Sequence, residues 1–324
     1  MAKSVLVTRQ PLGRALEIIS ADASVDLWGG DVSMPRAELL ARVASVDGLY
    51  CMLNDRIDRE LLAAAPQLRV VSTMAVGVDN IDLAVCTRRD VVVGHTPGVL
   101  TEATADLAVA LLLATARRLG EGIEHVRSGR WGEFQPDLLL GRDVHSSVIG
   151  IVGPGRIGSA VARRAAGFGA SILYTGPTAK PTLEQEFGAK RRDLSGLRSE
   201  AAHVMLTAPL RPDTHHLIDA SALRLMKSTA TLINVARGPL VDTAALYEAL
   251  RSGWIAAAGL DVTDPEPLPA DHPLLGLPNC VVLPHLGSAS VQTRTEMAEM
   301  AARNLVLGLN GEPMEACANP EVYA

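Results

Sequence analysis

Short apolar runs rich in valine, isoleucine and leucine recur along this chain, separated by stretches whose apolar residues fall at helical spacing. In the first hundred residues, SVLVT (4–8), VDGLYCML (46–53), LRVVSTM (68–74) and VVVGHT (91–96) read as strands. MPRAELLARVA and DRELLAAAP lie between them as helices. From Ala103, ATADLAVALLLATARRLGEGIEHVRSGRW reads as one long helix with apolar positions around most of its surface. Such a helix suits burial between two layers and would connect two domains.

The alternation resumes near Ser147. SVIGIVG, SILYTG, HVMLTA (203–208), ATLINVA (230–236), IAAAGLDV and CVVLPHLG read as strands, and RIGSAVARRAAGFG and DTAALYEALRSG as helices. Strand–helix alternation implies parallel strands with helical crossovers, and hence two doubly wound α/β units with ligand beyond the carboxyl ends of the strands. The last helix, SVQTRTEMAEMAARNLVLGLNG, has no new strand to follow and is expected to return to the first unit. The expected division is 1–99 with 288–324 around an inserted domain, 100–287, with a cleft where the chain crosses between them.

Composition narrows the class. The chain has 324 residues, 48% hydrophobic and 20% charged, with net charge −6, enough for two ordinary domains and with no basic surplus to suggest nucleic acid or an anionic membrane. No apolar run reaches the length of a membrane span, and the first residues lack the apolar core of a signal peptide. Cys51, Cys86, Cys280 and Cys317 have no metal-ligand spacing, so a reduced, cytoplasmic setting with no metal is expected, and three of the four lie beside apolar runs that suit buried free thiols.

The chemistry begins at VIGIVGPGRIGSA. Gly153-x-Gly155-x-x-Gly158 follows a strand and opens a helix, the context in which a glycine-rich loop binds a dinucleotide. Gly153 makes the tight turn, Gly155 admits the pyrophosphate and Gly158 lets the helix pack closely, while helix-terminal N–H groups take the anion. Pro154, Arg156 and Ile157 complete the loop. About 20 residues on, an NAD site would present an acid to the ribose. Here Thr175 and Gly176 occupy that place. With no carboxylate to repel a 2′-phosphate, NADP is expected to be preferred and NAD possible. Thr175 and Thr178 offer hydroxyls, and Lys180, Arg191 or Arg192 positive charge.

Three polar residues follow predicted strands of the same unit: Arg237 after LINVA, Glu266 in TDPEPLP and His285 after VVLP. An arginine fork can grip a carboxylate and polarise a neighbouring carbonyl. Histidine can carry the proton that balances hydride transfer, and a glutamate can orient it and support its charged form. His95, His125, His145, His203, His215, His216 and His272 lack such partners in the sequence and are weaker candidates. In MAVGVDNID (74–82), Val76 and Gly77 could point N–H groups at a substrate carboxylate.

Taken together, STMAVGVDNID, HTPGVLTEATAD, GIVGPGRIG, TAPLRPDTHHLI, LINVARGPLVD, AGLDVTDPEPLP and LPHLGSAS span nearly the whole chain. They resemble the D-isomer-specific 2-hydroxyacid dehydrogenases, most of all the glyoxylate/hydroxypyruvate reductase branch. The resemblance implies two Rossmann-like domains, a substrate-binding domain (1–99, 288–324) and an NADP-binding one (100–287). It implies reduction of glyoxylate or hydroxypyruvate to glycolate or D-glycerate, with hydride delivered to C2. Arg237 would hold the carboxylate and carbonyl, and His285, supported by Glu266, would give the proton. It places Thr104, Thr207, Pro209, Leu210, Val235, Ala236, Asp261, His285 and Gly287 at the cofactor, with Asp261 on the nicotinamide carboxamide. It implies a homodimer paired through the nucleotide-binding domains. Leu138 stands where the mammalian-type reductases carry a tryptophan that reaches the partner's substrate. Pro154 replaces a common leucine. The same resemblance leaves open another 2-oxoacid, such as pyruvate or 3-phosphohydroxypyruvate, and a non-catalytic NADP-binding corepressor-like protein.

Overall fold

The computed structural model describes residues 3–324, which divide into two compact units. One takes the residues up to Leu100 together with Ala289–Ala324, and the other is Thr101–Ser288.

The first unit is built on five parallel strands, β1 (Lys3–Val7), β2 (Ala23–Leu27), β3 (Gly48–Cys51), β4 (Val70–Thr73) and β5 (Val92–Gly94), in the order β2-β1-β3-β4-β5. Crossovers carry α1 (Ala15–Ser20), α2 (Arg36–Val43), α3 (Arg59–Ala64) and α4 (Leu83–Arg88). β3, β4 and β5 are buried at every residue, which is why they are legible as continuous apolar runs. β2 is an edge strand, ASVDL, whose residues alternate between half-buried and exposed, so its sequence carries no such run. Asp58 and Asp82 cap α3 and α4 by accepting from the N–H groups of Leu61 and Val85.

In the second unit the expected long helix is two helices, α5 (Thr101–Ala116) and α6 (Leu119–Arg127). The break is at Arg118, which adopts a left-handed φ of 54° and pairs with Glu121. A left-handed residue cannot continue a right-handed helix. The burial differs sharply across it: α5 buries Thr104, Ala105, Ala108, Leu111, Leu112, Thr115 and Ala116, whereas α6 buries none of its residues.

Seven parallel strands follow: β6 (Val148–Val152), β7 (Ser171–Thr175), β8 (Lys190–Arg191), β9 (His203–Leu206), β10 (Thr231–Asn234), β11 (Ala257–Leu260) and β12 (Cys280–Val282). Their order is β12-β11-β10-β9-β6-β7-β8, with α7 (Arg156–Gly167), α8 (Pro181–Phe187), α9 (Leu194–Glu200), α10 (Ala220–Leu225) and α11 (Thr243–Arg251) as crossovers. The chain order reverses between β6 and β9, the switch point at which doubly wound sheets place ligands. His203, fully buried at the start of β9, is spent on structure: its Nδ1 lies 2.8 Å from Thr231 Oγ1 on β10. Burial pushes its proton affinity down, so the ring is a neutral hydrogen-bonding group.

The last helix, α12 (Val291–Asn310), belongs to the first unit. Ala298, Ala301, Ala302, Leu305 and Leu309 pack with Val5, Val7, Tyr50 and Val70. Its small residues let the sheet come close enough for Tyr50 and Ser72 to donate to the carbonyls of Ala298 and Ala301, at 3.1 and 2.7 Å. Among the described residues, no helix is long and apolar enough to cross a membrane.

Candidate active site

The glycine loop lies between β6 and α7. Gly153 has φ +92°, and a Cβ there would stand 2.6 Å from the backbone of Ala208. A Cβ on Gly158 would meet the carbonyl oxygen of Gly153 at 2.5 Å and Thr207 Oγ1 at 2.7 Å, so any side chain would push α7 off the turn. At Gly155, by contrast, a Cβ meets nothing within 4 Å. That is the open face expected where a pyrophosphate must come close to backbone. Thr207 Oγ1 donates to the Gly153 carbonyl at 2.8 Å, and the Gly153 N–H to the Thr175 carbonyl at 3.0 Å, so the loop is tied to the ends of β9 and β7. The residues therefore fit a dinucleotide.

Beyond β7 the three basic candidates separate. Arg191 Nη2 donates to the carbonyls of Gly176 and Pro177 at 2.8 and 3.1 Å, holding its guanidinium against the loop where the acid is missing. Arg192 is committed elsewhere, in an ion pair with Glu200 at 2.9 Å. The Lys180 backbone N–H donates to Tyr174 Oη, which in turn donates to Glu184. Gly176 packs on the Pro154 ring, where a Cβ would meet Pro154 Cδ at 2.9 Å. The proline in the glycine loop and the glycine after β7 are thus two sides of one contact.

Arg237, Glu266 and His285 follow β10, β11 and β12, three neighbouring parallel strands whose carboxyl ends form one edge. The turn carrying Arg237 is stapled by Asn234. Its fully buried side chain donates to the Arg237 carbonyl at 2.8 Å and accepts from the Ala236 N–H at 3.0 Å. Glu266 Oε1 lies 2.5 Å from His285 Nδ1. A carboxylate only accepts, so Nδ1 carries the hydrogen of this contact. Both side chains are partly exposed, at 27% for His285 and 35% for Glu266.

His285 has a left-handed φ of 55°, and Asp261 holds it there. The Asp261 carbonyl accepts from the His285 N–H at 2.9 Å, while its carboxylate accepts from the N–H groups of Leu286 and Gly287 at 2.7 and 2.8 Å. Asp261 is 1% exposed, and Thr104 of α5 lies against the same turn, 3.3 Å from where a Gly287 Cβ would be. The sequence shows Asp261 only as one acid after an apolar strand; its clamp on the histidine turn is invisible there. The only sign of Asn234 is a polar residue ending the apolar run TLIN.

In the first unit, Val76 and Gly77 lie just beyond β4, half-buried, and Thr96 beyond β5 donates its N–H to the Ala75 carbonyl at 2.9 Å. Leu138 is half-buried in the segment after α6. Burial raises the thiols of Cys86 and Cys280 to about 12, which leaves them unreactive.

A glycine loop that fits a dinucleotide stands with a carboxylate–imidazole pair and an arginine at the carboxyl ends of the same sheet, an arrangement suited to oxidoreductase chemistry. Comparison narrows it. Residues 109–287 match the D-isomer specific 2-hydroxyacid dehydrogenase NAD binding domain. The chain is 48% identical to a glyoxylate reductase of Thermococcus kodakarensis over 99% of its own length and 98% of the relative's. It is 49% identical to a mouse glyoxylate reductase/hydroxypyruvate reductase over 93% of each. An NADPH-dependent glyoxylate/hydroxypyruvate reductase from Sinorhizobium meliloti, solved with NADP and malonate, superposes with a TM-score of 0.86 at 32% identity, covering 98% of this chain and 97% of that one. The chain belongs to the D-isomer-specific 2-hydroxyacid dehydrogenase family.

Proposed function

We propose that the protein reduces glyoxylate to glycolate, hydroxypyruvate to D-glycerate, or both, with NADPH preferred over NADH. The observation that carries the reading is the His285–Glu266 pair at 2.5 Å: with Nδ1 donating to the carboxylate, the second hydrogen of an imidazolium lies on Nε2, from which it can be given to substrate. A protein that only sensed the cofactor would have no use for one. The names of the relatives supply the substrate class.

The Gly153–Gly158 loop and the first turn of α7 would hold the dinucleotide, with Thr104, Thr207, Pro209, Leu210, Val235, Ala236 and Gly287 around it. When bound, it supplies a hydride to C2 of the 2-oxoacid. Arg237 grips the carboxylate and polarises the carbonyl, and the N–H groups of Val76 and Gly77 donate to the carboxylate. His285 Nε2–H gives its proton to the carbonyl oxygen as charge develops there, and Glu266 on Nδ1 steadies the imidazole through the change.

Cofactor choice is the first thing to measure. With glyoxylate and hydroxypyruvate as substrates, initial rates at matched concentrations are expected to favour NADPH. Arg191→Ala should lower kcat/KM for NADPH by roughly tenfold, the scale of one charge-assisted hydrogen bond, and leave NADH unchanged. Arg192→Ala should do little, because Glu200 already holds that side chain. Equal rates with the two cofactors would remove the reading of Thr175 and Gly176. No turnover of any 2-oxoacid by protein that binds NADPH would favour a binding protein.

We further propose a homodimer paired through the nucleotide-binding units. Leu119, Ile123 and Val126 of α6, with Trp131, Phe134 and Leu140 after it, are 49–91% exposed, a run of large apolar side chains of the kind that marks an association surface. Leu138 lies in the same segment and would reach the partner's substrate. Sedimentation velocity is expected to show one species of twice the chain mass; a monomer at micromolar concentration would dismiss it.

A further inference from the structure

His95 lacks any partner pattern in the sequence, and the fold gives it one. It follows β5 at the carboxyl edge of the first unit, and its Nδ1 lies 3.0 Å from the carbonyl oxygen of Val76. That oxygen can only accept, so Nδ1 carries the hydrogen. The Val76 carbonyl and the Gly77 N–H are two ends of one planar trans peptide and point in opposite directions. A donor that fixes the first therefore aims the second.

The donor is itself held. The His95 N–H donates to the Ala316 carbonyl at 3.2 Å, and the His95 carbonyl accepts from Asn304 Nδ2 at 3.0 Å. Asn304, fully buried on α12, closes the set by accepting from the Ala316 N–H at 3.2 Å. The chain's last segment thus fixes His95 from behind, and His95 fixes the Val76–Gly77 peptide in front. We infer that His95 is a positioning residue that orients the Gly77 N–H toward the substrate carboxylate. This rests on Val76 and Gly77 being the carboxylate donors, as proposed above.

Two substitutions separate the donor from the ring. His95→Phe keeps a ring of similar volume and removes the donor. His95→Asn removes the ring but places an amide nitrogen, Nδ2, the same number of bonds from the backbone as Nδ1. With glyoxylate or hydroxypyruvate at saturating NADPH, H95F is expected to raise KM for the 2-oxoacid roughly tenfold. Its kcat should stay within about threefold and its cofactor KM unchanged, because only carboxylate binding loses an aligned donor. H95N is expected to stay within about twofold of the wild-type KM. A KM for H95F equal to wild type, or a rise in H95N as large as in H95F, overturns the inference. Should H95F not fold, H95N decides alone, its KM being near wild type or not. Wild-type turnover is read first: its absence fails the proposed function itself, whereas normal turnover with a KM indifferent to the donor fails only the role of His95.

Discussion

His285→Ala is expected to lower kcat by roughly 10²–10⁴ while the dissociation constant for NADPH stays within about threefold. The split follows from how the residue is held. The ring makes the contact to Glu266, but the turn around it is set by backbone: the His285 N–H on the Asp261 carbonyl, and the Leu286 and Gly287 N–H groups on the Asp261 carboxylate. None of these bonds involves the imidazole, so removing it leaves the turn in place. A left-handed residue other than glycine costs on the order of 1–3 kcal/mol and persists only where its surroundings insist on it. Alanine at 285 inherits that cost and that support. Steady-state kinetics beside a fluorescence titration of NADPH separates the two effects. Loss of cofactor binding with kcat preserved would mean that His285 serves the cofactor and not the proton.

Gly238→Ala is expected to cost both stability and turnover, although residue 238 has no chemistry of its own. A Cβ there would lie 1.9 Å from the Thr263 carbonyl oxygen and 2.1 Å from its carbon, backbone that cannot swing aside like a side-chain tip. Gly238 follows Arg237, and Thr263 begins the segment that carries Glu266, whose Oε2 is 3.4 Å from the Thr263 N–H. Relieving the overlap must move one segment or both, displacing the arginine relative to the carboxylate that supports His285. Overpacking a close contact costs roughly 1–3 kcal/mol of stability, and a displacement near 1 Å at reacting groups costs about 10² in rate. Chemical denaturation should therefore show a lower midpoint, and kcat/KM should fall by at least about 10² at temperatures where the variant is still folded. A variant as active as wild type would show that the two segments adjust independently.

Much of the architecture is legible because both sheets are parallel and buried on both faces. Such strands leave continuous apolar runs: LRVVSTM contains β4, and HVMLTA contains β9. The edges escape. β2 alternates half-buried with exposed residues, and β8 is the two-residue pair Lys190–Arg191, whose place on the sheet comes from pairing with β7 and not from any pattern of its own. The helix from Ala103 to Trp131 looks unbroken because its apolar spacing continues past Arg118, where the backbone turns left-handed. Periodicity does not record one φ angle.

What the amino-acid sequence by itself determined is the chemistry available: the glycines at 153, 155 and 158, the missing acid at 175 and 176, and one arginine, one glutamate and one histidine each placed after an apolar strand. Residue type and local spacing suffice for these, since a close backbone approach needs glycine and a proton carrier needs a titratable side chain. What only the tertiary structure decided is which groups are coupled. Arg191 leans on Gly176 while Arg192 is tied to Glu200, Asp261 clamps the turn of His285, and His95 holds the Val76 carbonyl. Each of these depends on a bond a few ångströms long between residues that the sheet order brings together, and hydrogen bonds of that length leave no periodic mark on the chain.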